Sequence, residues 1–287
     1  MSVPSIYSER HDAQLYLGKQ PAKPVSSDHA LWSELRKPLK AAGTLPKIPA
    51  SFGHGNDFPG VAWKMLGNGP QDDNSINPAW AAAQGCGDCA WAGPGHAEME
   101  SASNAKRPIP PFSSLTIVEQ YAAYSGYDLE TGDNDNGSDP QTVLQWRQTK
   151  GLYDDNKVVY KIGKTVSATP GDLAHLWELS YLFEDAGIGI NVQQAQEDQF
   201  NSGEPWNYVP GSPIVGGHWI EVLGKWHLIT WAENKQFTAS FYTELNDETF
   251  AWIDPLRYSA VTGKDSEGHN DQDLELYITL VAAAKAA

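Results

Sequence analysis

The sequence predicts an α+β protein, and three observations carry that reading. Helical patterning fills the chain from Cys89 to about residue 187. Strand patterning takes over from "GIGINV" onward. The two cysteines stand together as C-x-x-C where the first long helix begins. Helices first and an antiparallel sheet second place a cleft between the two halves.

The first sixty residues stand apart from the rest. "KQPAKPVSS", "LRKPLK" and "GTLPKIPASFGHGNDFPG" are rich in Pro and Gly, with one short helical candidate over Leu31 to Lys37. Residues 1–60 thus read as an extended arm laid over a body and held by its own chain or by neighbouring copies, which allows a homo-oligomer. The body spans 61–287, with a helical part over about 80–187 and a sheet part over about 188–287. Its first helix is expected from Cys89 to Ala105. A second covers Leu115 to Ser125, where Ile117, Val118, Tyr121 and Ala122 share a face. The third starts at "SDPQTVLQWRQ", with Asp139 as the cap and Pro140 in the first turn. "TPGDLAHLWELSYLFEDAG" gives a fourth, ending at Gly187. "HWIEVLGKWHLITW" reads as a hairpin about Gly224 and Lys225, which sets His218 opposite Trp231 with Thr230 beside it. "ETFAWIDP" is a further strand.

Composition narrows the partners. With 36 acidic and 20 basic residues the formal charge is −16, which repels phosphate backbones and anionic lipid. Nucleic acid and membrane surfaces are therefore not expected partners. A hydrophobic content of 40% with 11 Trp and 12 Tyr excludes a largely disordered chain. "MSVPSIYSERHDAQLYLGKQ" contains no apolar core of a signal peptide, and no run reaches the length of a membrane span. Two cysteines in 287 residues do not make a disulfide framework, so synthesis in a reducing cytoplasm is expected.

The cysteines in "AAAQGCGDCAWAGPGHAEM" admit four readings. A zinc site needs two further ligands, and His96 is the one residue placed two helical turns on to join them. A redox pair needs a βαβ context, for which "NPAWAAAQG" is a poor strand. Both thiols can also be plain buried side chains. The fourth reading is a nucleophile at a helix N-terminus, where the macrodipole and free N–H groups favour the thiolate. That chemistry needs a base, which His218 on the hairpin strand can supply. It also needs oxyanion donors, which Gln84 and the N–H of Cys89 can supply.

These residues resemble the papain-like cysteine peptidases. "QGCGDCAWA" is similar to that family's Gln-then-Cys segment, "DNGSDPQTVLQW" to its substrate loop, and "GGHWIEVLG" to the strand bearing its catalytic His. "LITWAE" stands where the family carries Asn-Ser-Trp-Gly. The resemblance implies a papain-like α+β fold, with a helical lobe and central helix packed against an antiparallel sheet or barrel lobe. It implies Cys89 as nucleophile, His218 as base and Gln84 as oxyanion donor. Asn136, Gly137 and Ser138 would line the cleft with Trp231, the substrate would be a peptide or protein, and no cofactor would be needed. Two features depart from the family pattern. Ala90 intervenes between Cys89 and Trp91, and no Asn precedes Trp231, so Thr230 is the residue left to orient the imidazole. "YSGYDLETGDNDNG" and "QFNSGEPWNYVPGSPIVGGH" also resemble uncharacterised papain-like proteins of tailed phages and bacteria.

Other residues read as ordinary. "DLETGDNDNGSD" fails the spacing of a calcium loop and is expected as a solvated loop over the cleft. Glu221 is expected on the Trp219 side of its strand, as a surface charge. Two functions follow from the resemblance: a thiol hydrolase acting on a peptide, isopeptide or related amide, or an inactive papain-fold structural or adaptor protein of a phage virion, assembled through the arm.

Overall fold

The computed structural model describes residues 5–8, 13–41, 43, 45–53, 61, 63–67, 85–184, 186–270, 274–275 and 278–279. In chain order the elements are β1 (Ser5–Ser8), β2 (Ala13–Tyr16), β3 (Ala30–Leu31), α1 (Trp32–Ala41), α2 (Cys89–Asn104), α3 (Ser114–Ser125) and α4 (Pro140–Thr149). They continue with β4 (Leu152–Tyr153), β5 (Val159–Tyr160), β6 (Thr165–Ser167), α5 (Leu173–Phe183), β7 (Ala186–Gln193) and α6 (Gln194–Ser202). The last are β8 (Ile214–Gly224), β9 (His227–Thr230), β10 (Glu233–Gln236), α7 (Ala239–Leu245) and β11 (Asn246–Trp252).

Capping chemistry explains where the helices begin. Ser113 accepts the Thr116 N–H ahead of α3, Asp139 accepts that of Gln141 ahead of α4, and Asp172 accepts those of Ala174 and His175 ahead of α5. Gly126 ends α3 at φ 76°, a conformation that costs glycine nothing. The expected third helix is therefore α4, with Pro140 in its first turn.

Two local expectations need correction. The fourth helix stops at Phe183 instead of Gly187, because Ala186 and Gly187 already pair with Ala251 and Phe250 of β11. Gly187 also lies against the Trp219 ring, where a Cβ would come within 2.0 Å of Cζ2. The hairpin is one residue out of the expected register: Glu221 faces Ile229 and Val222 faces Leu228, with a bulge before Gly224 absorbing the slip.

One seven-stranded sheet, in the order β10-β9-β8-β7-β11-β6-β3, carries the fold; its pairs are antiparallel except β3 with β6. Among the described residues four clusters of buried side chains pack around it, the smallest being Leu223 with Ile229. The first packs α2, α3 and α4 against Trp219, Phe250 and Trp252, and the second gathers Trp206, Trp231, Phe241 and Tyr242 with Leu17 from the N-terminal segment. The third sets Trp32, Leu35 and Leu39 of α1 against Val166 and Phe183. Trp206 is thus a core aromatic.

Helix α2 is buried along almost its whole length, which explains "GPG" within it. A Cβ on Gly93 would meet Trp219 Cδ1 at 2.7 Å, and one on Gly95 would meet Leu66 Cδ1 at 3.0 Å. Burial on every side also calls for a partner for the charge of Glu98. Glu98 accepts from Arg147 of α4 at 2.8 Å, and the guanidinium lies 4.6 Å from the centre of the Trp252 ring. Both side chains are essentially without solvent. Removing one partner strands the other, so Arg147→Ala should lower unfolding free energy by about 3 kcal/mol or more, read from urea melts followed by Trp fluorescence.

Candidate active site

The chain tightens before α2. Cys86 N–H donates to Gly67 O at 2.9 Å, and Gly87 N–H reaches both oxygens of Asp135, at 3.0 and 2.9 Å. Tyr121 OH holds the same carboxylate at 2.7 Å and itself accepts the Gly137 N–H at 3.0 Å. Asp135 therefore ties the loop before the helix to the loop at 136–138. Cys89 enters as the first residue of α2, so its N–H has no intrahelical acceptor.

The Cys89 sulfur meets the sheet directly. It accepts the backbone N–H of Trp219 at 3.4 Å, which sets it against the residue that follows His218 in β8. His218 Nε2 lies 2.8 Å from Thr230 Oγ1, and its ring stacks on Trp231 at 4.6 Å with 21° between planes. Among the described residues, no partner engages His218 Nδ1. With its proton on Nε2 donated to Thr230, the imidazole keeps Nδ1 as an acceptor. Thr230 thus touches the imidazole despite the shifted hairpin register.

Ser138 Oγ accepts Trp91 Nε1–H at 2.9 Å, Gly137 packs beside it at φ 65°, and the Asn136 side chain is exposed. Gln84 lies outside the described residues. Cys86 is a free, buried thiol that takes the Asp88 N–H, and burial pushes it well above the usual thiol range. His96, the residue considered as a zinc ligand, is bound instead to Lys64 O at 2.9 Å and packs against Trp63. Among the described residues no group of three or more His, Cys, Asp or Glu could hold a metal ion. Glu221 does share a side with Trp219, whose Nε1–H it accepts at 2.8 Å, but it is buried instead of on the surface. Burial pushes its carboxyl up to about 7.

What encloses the site was not visible in the motifs. Residues 17–20 run through the groove between the 136–138 loop and β8. Ser138 N–H donates to Gly18 O at 2.7 Å, Gln20 N–H to Ser138 O at 2.9 Å, and Lys19 N–H to Gly217 O at 3.1 Å. Gly18 N–H is a second donor to the Cys89 sulfur. The approach is backbone to backbone: a Cβ on Gly18 would come within 1.6 Å of Gly87 O, and one on Gly137 within 2.1 Å of Gly18 O. No spacing rule marks Gly18 in "LYLGKQ", so sequence reading missed it.

Enclosure sets the electrostatics. Cys89 has no exposed surface and His218 is 1% exposed. Burial pushes the thiol up to about 12, with the Trp219 and Gly18 N–H groups opposing it, and pushes the imidazole down to about 3. With residues 17–20 in place the thiol and the imidazole are both neutral.

A helix that opens on Cys89 and packs against an antiparallel sheet whose β8 carries His218 makes an α+β fold of the papain-like kind. No protein-family model matches the chain, and no curated protein does. Among solved structures, the chain is similar to xylellain, a cysteine protease from Xylella fastidiosa, at 12% identity and a TM-score of 0.54, over 83% of this chain and 96% of that one. It is similar also to the proCathepsin B of Trypanosoma congolense, at 12% identity and a TM-score of 0.45, over 84% of this chain and 86% of that one. Among the described residues no helix is long and apolar enough to cross a membrane.

Two outcomes follow from the enclosed pair. In the intact chain, alkylation of Cys89 by iodoacetamide should climb only at strongly alkaline pH, since a thiol at about 12 carries at pH 8 roughly a thousandfold less thiolate than an ordinary one. Gly18→Ala cannot keep residues 17–20 seated, so it should raise that alkylation rate at pH 8 by at least about tenfold; mass mapping of the adduct reads both.

Proposed function

We propose that the chain is a thiol hydrolase that cleaves a peptide, isopeptide or related amide through Cys89 and His218, and that residues 17–20 hold it latent. The observation that carries the reading is the sulfur at the head of α2, bonded to the N–H next to His218, whose Nε2 is engaged by Thr230 while Nδ1 stays open.

The chemistry follows from those atoms. Once residues 17–20 leave the groove, water and substrate reach the sulfur, the burial that holds both groups neutral is relieved, and His218 Nδ1 takes the thiol proton. The thiolate attacks the scissile carbonyl, and the oxyanion faces the free N–H of Cys89, with Gln84 the second donor of this proposal. The protonated imidazole gives its proton to the leaving amine, which leaves a thioester on Cys89. Water, deprotonated by His218, then attacks the thioester, releases the acid and restores the thiol. Through this cycle Thr230 orients the ring, and Trp231 shields its far face from solvent.

A hydroxyl holds an imidazolium less firmly than an amide or carboxylate, and both reacting groups are enclosed. Those two facts favour the rival reading, an inactive papain-fold adaptor. Fluorogenic peptide amides separate the two with the full chain carrying Gly18→Ala. The hydrolase reading expects turnover that Cys89→Ala and His218→Ala each abolish and that Thr230→Val lowers about tenfold in kcat with little change in KM. No turnover on any peptide amide, with Cys89 exposed to alkylation, would leave the adaptor.

A further inference from the structure

Lys19 is a lysine with no solvent on its side chain. Its backbone lies in the groove, where its neighbours bracket Ser138, and its side chain runs into a recess between β7 and β11. The stem crosses Gly189, where a Cβ would come within 2.2 Å of Lys19 Cε. At the end of the recess Nζ lies 3.0 Å from Asp247 Oδ2 and 3.1 Å from Glu248 Oε1, and it donates to Gln20 O at 2.9 Å.

The two carboxylates reach one ammonium because the strand is irregular. Adjacent residues of a regular strand point to opposite faces. The β11 register breaks between Asn246 and Glu248, and that bulge aims Asp247 and Glu248 at the same cation. Glu248 is 4% exposed, and its Oε2 has no hydrogen-bond partner among the described residues; Asp247 Oδ1 has none either. Among the described residues Lys19 is the only basic side chain in ion-pair contact with these two acids. Once residues 17–20 withdraw, the recess is a slot floored by glycine, with two acids at its end and, among the described residues of the body, no cation in ion-pair contact with them.

A segment that only had to be held down needs no such slot, since an apolar side chain in a fitted pocket is held at least as well as a buried ion pair. An acidic end does something an apolar one cannot: it discriminates among incoming side chains by charge. Gly189 leaves room for a long unbranched stem, the buried Glu248 and the partly exposed Asp247 reward a cation, and an acidic side chain meets repulsion. An apolar one leaves both carboxylates unanswered.

Resting on the hydrolase reading, we propose that the recess ending at Asp247 and Glu248 is the specificity pocket of this cleft, that it selects lysine or arginine, and that Lys19 is its internal occupant. The substrate class is then a basic peptide, in keeping with a chain of net charge −16.

The test uses the full chain carrying Gly18→Ala and Lys19→Ala, which unseats the segment and empties the recess. Fluorogenic peptide amides present Lys, Arg, Leu or Glu in turn at each of the three positions before the scissile bond. At one position Lys and Arg should exceed Leu at least tenfold in kcat/KM, with Glu poorest, and Glu248→Gln should bring the basic-to-Leu ratio near one. Binding gives a second readout that needs no turnover. With Cys89→Ala added, a fluorescent peptide AQLYLGKQPAKP should bind at least tenfold tighter than its analogue with Leu for the central Lys, a gap that Glu248→Gln should close. Turnover without a basic preference, or equal binding of the two peptides, overturns the pocket. Preferential binding of the Lys peptide without turnover on any amide sustains the pocket and overturns the hydrolase reading instead.

Discussion

The contact on which the molecule turns is that between Trp219 and the head of the central helix. Its backbone N–H binds the Cys89 sulfur, its ring lies against Gly93 and Gly187, and its indole N–H ends on Glu221. A Cβ at either glycine would collide with that ring, so helix and sheet approach this closely only because both positions lack a side chain. His218, one residue earlier in β8, inherits its place from the same contact. A helix held even an ångström further from the sheet would lose the hydrogen bond between the Cys89 sulfur and the Trp219 N–H.

A second close approach, between main chains, decides the state of that pair. Gly18 fits between Gly87 and Gly137, and a Cβ on Gly217 would reach within 2.5 Å of Lys19 O. Glycines on both sides let residues 17–20 lie in the groove through backbone bonds, with the Lys19 ammonium ion-paired beyond it. Exclusion of water then works against charge. With residues 17–20 in place the sulfur and the ring are each held neutral, because desolvation moves the thiol up and the imidazole down.

The chain carries a large acidic excess, yet it buries several cations, Arg147, Arg257 and Lys19 among them. Arg147 is answered by Glu98 and lies over Trp252, and Lys19 is answered by Asp247 and Glu248. The first pair joins two helices of one lobe and has a structural reading. The second joins the N-terminal segment to the body and is less enclosed: the Asp247 side chain is 20% exposed, whereas Arg147 and Glu98 are at 0% and 1%.

Much of the architecture was legible in the sequence. Asp139 with Pro140, the apolar face of Ile117, Val118 and Tyr121, and the run after Gly187 fixed helices and strands because caps and periodicity are local properties. The Cys89, His218 and Thr230 candidates were legible too, since residue type and order along the chain carry them. Where one residue of register mattered, local signals fell short: the hairpin bulge before Gly224 and the early start of β7 answer to sheet pairing and to the Trp219 ring. Only the tertiary structure decided that residues 17–20 fill the groove, that Glu221 is buried, and that a bulge turns Asp247 and Glu248 onto one lysine. Those facts depend on contacts between residues up to 229 positions apart, and no periodicity or cap records a distance of that kind.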